Sequence, residues 1–287
     1  MERRKLIMLK APWYINIIRM FLMIIVFLFV IMALYPMFWM VITSFKTYSE
    51  SLTWPPSIFP KRFIISNYTL VFSTPNFFRY FLNSCIYAIG GTFLAVLVSS
   101  MGGYGFAKYN FKGKHTLFFI VLATMMIPGQ VTLIPVFLIC KFFGWINTYL
   151  GLIIPGLAGA FGLFLIRQFA MGVPSDFFEA ARIDGAGEFK IYTIVFIPLV
   201  MPALTTLIVL DFMARWNDLF WPLIVLNSNE MRTMQLALTT LFRTLHDTRW
   251  SELCAALTIA ALPVVVLYSA FQKYFTKGIV LTSGVKG

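Results

Sequence analysis

Six stretches without a charged side chain, each 20 to 28 residues long, dominate this chain: Met20 to Phe45, Tyr80 to Ala107, Thr116 to Cys140, Phe142 to Ile166, Ile191 to Leu210 and Leu253 to Gln272. A hydrocarbon layer about 30 Å thick takes about 20 helical residues, so each stretch can cross a membrane once and none can cross twice. Barrel strands would instead alternate over about ten residues. Apolar residues make up 60% of the chain and charged residues 12%, against roughly 25% charged in a soluble domain. The expectation is an all-α integral membrane protein, one domain over residues 1–287, with spans at about 20–45, 80–107, 116–140, 142–166, 191–214 and 253–272.

Orientation follows from lysine and arginine. With the N-terminus inside, the inner segments carry 14 of the 23 basic residues, and the clusters at Arg3 to Lys5 and Lys108 to Lys114 lie close to their spans. Basic residues flanking spans stay on the cytoplasmic side, which puts both termini and the segment around Glu179 there. The net charge of +12 is spread over loop ends with little aromatic interleaving, so topology accounts for it and nucleic acid is not expected as a partner. Arg3, Arg4 and Lys5 before an apolar run also resemble a signal peptide. The run is too long and lacks a small-residue cleavage site, so an uncleaved first span is expected.

The outer connections Lys46 to Arg79 and Arg215 to Glu252 are long. The first begins with Pro55, Pro56 and Pro60 as an extended cap, after which Ile64 to Phe81 reads as an amphipathic helix at the outer surface. Small residues mark close helix approach: Ser99, Gly102, Gly103 and Gly105 in the second span, Gly156, Gly159 and Gly162 in the fourth. Prolines 36, 128, 135, 155 and 198 lie in or near spans, where each either frees backbone carbonyls to line a polar path or only kinks the helix.

Enzyme chemistry finds no footing. The two histidines, His115 and His246, fall on opposite sides, so neither a zinc pair nor a Ser-His-Asp set can form. Cys85, Cys140 and Cys254 are scattered and read as packing residues, with no metal site expected. Gly185-Ala-Gly-Glu-Phe-Lys190 fails the dinucleotide fingerprint, and Gly113-Lys114 lacks the upstream glycine of a phosphate loop. If ATP drives the protein, another polypeptide must bind it. In the interior, Asp211 stands four residues before Arg215, the spacing of an ion pair on one helix face. The run from Arg215 to Pro222 mixes aromatic rings with amide and carboxylate groups, a lining that suits a sugar.

The segment Pro174 to Gly187 is polar between two apolar runs. Asp176 followed by Glu179 has the spacing of a capping box, Ala180 and Ala181 give a smooth face beside the charges, and Gly185 permits a turn. Such a polar helix-turn-helix between spans is a docking surface.

These residues resemble the EAA loop of ATP-binding-cassette (ABC) importer permeases. Glu179, Ala180, Ala181 and Gly185 match, with Val195 and Ile197 conservatively replacing the motif's Ile and Leu before Pro198. Arg182 to Ala186 is similar to the carbohydrate branch. Asn67-Tyr68, Asn83-Ser84, Tyr104 to Ala107, Ile127-Pro128, Trp216 to Asp218 and the Gly284 to Gly287 tail resemble the smaller permease subunit of maltose-type transporters. The resemblance implies a type I importer permease fold. It implies sugar import in a prokaryotic inner membrane, with a homologous permease forming a heterodimer, two cytoplasmic ATPase subunits that bind ATP and Mg, and an extracellular solute-binding protein. It implies ATPase coupling through Glu179, Ala180, Ala181, Asp184, Gly185, Ala186, Pro198, Lys286 and Gly287. Candidates for the solute path are Asn83, Ser84, Gln130, Asp211, Trp216, Asn217 and Asp218. Glycerol phosphate or a polyol as solute, and an ion-driven secondary transporter, are the alternatives.

Overall fold

The computed structural model describes residues 13–242 and 248–283. Among them the regular structure is helical. Three helices are long and apolar enough to cross a membrane, or up to six if each of three bent helix pairs is one span. Contacts divide the described residues into two compact units, one running to Thr69 and including Arg249–Thr258, the other Leu70–Thr248 with the chain from Ile259.

The first unit is led by α1, Trp13–Thr43, which carries Pro36 within it and whose apolar window is not buried by the rest of the chain. That is the expected state of a helix solvated by lipid. A short helix α2, Tyr48–Ser51, follows, its N-terminus capped by the Thr47 side chain. The amphipathic helix expected over Ile64 to Phe81 is shorter: α3 covers Ser66–Ser73. Pro75 follows, and Asn76 in the left-handed region (φ 63°) precedes the next helix. Proline disfavours helical geometry in the residue before it, so the chain turns there instead of running on.

In the second unit α4 runs over Phe77–Lys108 with a π-helical turn at Ile86–Gly90. The bent pairs follow the prolines. Helices α5, Lys114–Thr124, and α6, Gly129–Phe142, meet at 100° across Pro128, which lacks the N–H that helix continuation requires. Helices α7, Tyr149–Gly156, and α8, Ala160–Met171, bend by 45° after Pro155. Beyond α9, Asp176–Ile183, the helices α10, Glu188–Leu199, and α11, Met201–Trp216, bend by 79° between Pro198 and Pro202. Short α12, Phe220–Val225, and α13, Met234–Leu238, precede α14, Trp250–Ser283.

Small residues set the closest seam, between α4 and α8. A Cβ on Gly162 would stand 2.5 Å from Ser99 Oγ, one on Gly103 2.7 Å from Ile166, and one on Gly102 2.9 Å from Leu163. Without side-chain bulk the two backbones approach, and dispersion replaces the hydrophobic effect that lipid cannot supply. Gly105 and Gly159 differ, since a Cβ on either would meet nothing within 4 Å. Around this seam Tyr104, Ile166, Phe178, Ile191, Phe196 and Leu204 form a buried core that draws in α9 and α10.

Candidate functional site

The polar segment builds from α9. Its N-cap is Ser175, already in helical geometry and making no side-chain cap bond. The Ser175 carbonyl accepts the Phe178 and Glu179 N–H groups at 2.9 and 3.1 Å. The capping box expected from Asp176 and Glu179 is therefore not formed. Asp176 is the first helical residue, where its charge still favours the positive end of the helix dipole. At the other end Gly185 takes φ 78°. The Gly185 N–H reaches Arg182 O at 3.0 Å and the Ala186 N–H reaches Ala181 O at 2.9 Å. This pair of bonds is a Schellman cap, which needs the left-handed residue that glycine supplies.

One face of α9 is anchored. Phe178 is 2% exposed, the Lys108 ammonium lies 4.6 Å over its ring, and Lys108 also donates to Val173 O at 2.6 Å. The opposite face is open, with Glu179, Ala180, Asp184 and Gly185 exposed and Ala181 and Ala186 half-buried. Phe177, Ile183 and Phe189 add large exposed apolar area at 52%, 86% and 79%. The Glu179 side chain makes no hydrogen bond or ion pair among the described residues.

Glu188, the first residue of α10, fastens this segment to the end of α4. Its carboxylate accepts from Arg182 Nε at 2.9 Å, from Tyr104 Oη at 3.3 Å and from the Tyr109 hydroxyl in a short bond. These bonds, first that from Arg182 and then that from Tyr109, hold the Glu188 carboxyl below its ordinary value of 4.5. Burial and the bond to Glu188 push the Tyr109 phenol up. Sequence reasoning missed Glu188, because its partners Tyr104 and Tyr109 lie 84 and 79 residues away and follow no helical period.

A second constellation lies within the helices. Arg215, 6% exposed, donates through Nε to Asp211 Oδ2 at 2.7 Å and through an Nη to Gly156 O at 2.7 Å. The carbonyl it reaches is one freed by the break after Pro155. Gly91 makes room for it, since a Cβ there would stand 2.7 Å from the guanidinium. The guanidinium also lies 5.6 Å over the Tyr87 ring. Tyr87 Oη in turn donates to Asp218 Oδ2 at 2.9 Å, while Asp218 Oδ1 accepts the Trp221 N–H at the start of α12. Two cavities flank this chain of contacts. One of about 250 Å³ is lined by Tyr87, Thr132, Pro155, Asp218 and Trp221. The other, about 290 Å³, is lined by Ser99, Gly162, Leu207, Asp211 and Ala214.

The remaining path candidates separate by where their polar atoms go. Asn83, 1% exposed, donates to Glu230 O and Arg232 O at 2.8 and 2.9 Å and accepts from Tyr149 Oη at 2.6 Å. Ser84 Oγ accepts the Met234 N–H at 2.8 Å. Trp216, 2% exposed, donates to Ala260 O at 3.0 Å and stacks on Phe212. These three hold the connection between α11 and α14, and α14 itself, in place with groups already satisfied. Gln130 and Asn217 are exposed. Pro198 lies at the bend before α11, and Lys286 and Gly287 lie outside the described residues.

Three comparisons bear on identity. The family described as binding-protein-dependent transport system inner membrane component matches residues 91–280. The arabinooligosaccharides transport system permease protein AraQ of Bacillus subtilis (strain 168) is 35% identical over 283 residues, covering 98% of this chain and 100% of that protein. The lactose transport system permease protein LacG of Rhizobium radiobacter is 30% identical over 251 residues, covering 86% and 89%. A chain in the crystal structure of a bacterial ABC transporter involved in the import of the acidic polysaccharide alginate has a TM-score of 0.82 at 26% identity, covering 91% of this chain and 97% of that one. With a helical permease fold, an open loop at the end of the α4–α8 seam and a family match across most of its length, this chain belongs to the binding-protein-dependent transport system inner membrane components, the permeases of ABC importers.

Proposed function

We propose that this chain is one of two permeases in an importer of sugars or oligosaccharides, and that the exposed face of α9 with its Gly185 turn receives the ATPase. The open side of α9 carries this reading. Glu179, Ala180, Asp184 and Gly185 face outward while Phe178 and Glu188 tie the same helix to the bundle. A helix fastened behind and open in front passes a push to the spans as a rigid lever, the motion that alternating access requires. Ala181 and Ala186 seat the turn, Pro198 shapes the bend into α11, and Lys286 and Gly287 form a second ATPase contact.

On this reading two cytoplasmic ATPase subunits bind ATP and Mg, a homologous permease supplies the other half of the channel, and an extracellular binding protein delivers the solute. The membrane is the prokaryotic inner membrane, with both termini cytoplasmic. The relatives named for arabinooligosaccharides and lactose favour a carbohydrate, as do the aromatic and carboxylate linings beside Asp211 and Asp218. Gln130 and Asn217 are further points on the solute path. The ion-driven alternative rested on Asp211, which is already paired with Arg215.

The test is purification of the chain from its host membranes in mild detergent, native and as Glu179→Lys, with identification of bound chains and an ATPase assay. An ATPase subunit that accompanies the native chain and is lost with the variant supports the docking reading. An ATPase that stays bound to both removes Glu179 from the interface.

A further inference from the structure

The segment after α1 is built polar inside and apolar outside. Ser44, Lys46, Glu50 and Asn67 are 0%, 2%, 8% and 6% exposed. Each is satisfied within the segment. Lys46 donates to Ser57 O at 2.5 Å, Glu50 accepts the Lys61 N–H at 2.8 Å, and Asn67 donates to Ser44 O and Lys46 O at 2.7 and 2.9 Å. Leu52, Trp54, Ile58, Phe59, Phe63 and Ile65 point outward, between 51% and 89% exposed. In water this arrangement leaves apolar surface uncovered at a cost in free energy, and a patch of this kind marks a contact with another apolar phase.

Its height along α1 identifies that phase. Arg19 is the last charged residue of α1, and about 20 residues at about 1.5 Å each carry the hydrocarbon boundary to the neighbourhood of Trp39. The Phe59 ring packs edge-on against Phe38, one residue short of Trp39, with centroids 6.1 Å apart. Lys46 sits 4.2 Å over the Trp39 ring, turned inward on the segment. The chain leaves the span and folds back until Phe59 lies level with the boundary. Lys61 and Arg62, both exposed beside the apolar residues, carry the charge that lipid phosphates attract.

We propose that residues 52–65 are an interfacial anchor seated in the bilayer leaflet at the Thr43 end of α1. Trp54, Ile58, Phe59 and Phe63 lie among the upper acyl carbons, and Lys61 and Arg62 lie at the phosphates. The anchor fixes the height and tilt of the first span and is independent of the solute carried. It follows the pattern of amphipathic segments that lie in the interface plane, with a folded polar clasp in place of a long helix.

The test uses the assembled importer in lipid nanodiscs, native and as Trp54→Phe, so that the difference between their emissions isolates one of the chain's 7 tryptophans. Acyl chains brominated near the headgroup are expected to abolish most of that difference emission, and aqueous iodide to leave it unchanged. Quenching by iodide and not by bromine would put Trp54 in water and overturn the proposal. Quenching by neither would mean that a partner protein covers the patch, which also overturns it. Should the Trp54 variant fail to assemble, Phe59→Trp adds a reporter for which the same outcomes apply.

Discussion

Arg215 carries a full charge at 6% exposure, and its neighbourhood is shaped to hold it. Asp211 neutralises it, Gly156 O takes a second bond, and Gly91 leaves the space. Removing one member of a buried pair strands the other, at about 3–5 kcal/mol. Arg215→Ala, which strands Asp211 and releases Gly156 O, and Asp211→Asn, which strands the more deeply buried guanidinium, are therefore both expected to lower the thermal stability of the detergent-purified permease relative to the native chain, as read by the temperature at which its monodisperse chromatographic peak disappears. Arg215→Lys falls between Arg215→Ala and the native chain, because an ammonium keeps the charge but loses the fork that reaches two acceptors. At Gly185 a different cost applies. Any L side chain at φ 78° meets the left-handed penalty of about 1–2 kcal/mol. Gly185→Val is expected to weaken ATPase co-purification while leaving the melting temperature of the rest of the permease nearly unchanged. A Cβ on Gly185 would meet nothing of this chain within 4 Å, so within the permease the strain comes from backbone geometry.

At the scale of helices, the α4–α8 seam and the tether of α9 give separable expectations. Gly162→Ala puts a methyl group 2.5 Å from Ser99 Oγ, an overpacking that typically costs about 1–3 kcal/mol. Gly105→Ala on the same helix as Ser99 meets nothing and is expected to be neutral or slightly stabilising, so the pair of variants distinguishes packing from helix propensity in one thermal assay. The tether depends on pH through Glu188. Its folded carboxyl lies below the ordinary 4.5, so its stabilising contribution is complete above that value and is lost as pH falls through the folded value. The distance between spin labels at Ile183 and Lys112 is expected to broaden in that acid range for the native chain. In Glu188→Gln it is expected to be broad already at neutral pH. The missing capping box belongs to this scale too. Asp176 and Glu179 have the right spacing, but Ser175 enters in helical geometry and moves the helix start by one residue.

For the whole molecule, the medium explains why so much could be read from one sequence. Hydrocarbon demands uninterrupted helical length, so the uncharged runs reveal where spans can lie, and the loop around Glu179 stands out as polar chain between them. The Gly185 turn was legible because its determinants lie within six residues, Ala181 to Ala186. The small-residue seam was legible at Ser99, Gly102, Gly103 and Gly162, yet not at Gly105 or Gly159, since composition marks a helix face without saying which positions meet a partner. Prolines announced breaks at 128, 155 and 198 but not that the chain bends there by 100°, 45° and 79°. Asn83, Ser84 and Trp216 looked like polar or aromatic groups for a solute, and the fold engages them with Glu230, Met234 and Ala260. Residues alone thus determined the medium, the helical class and the turn at Gly185, all of which depend on local length and spacing. Tertiary structure decided the bend angles, the Glu188 tether and the fate of each buried polar group, because those depend on atoms far apart in the chain whose meeting only packing can arrange.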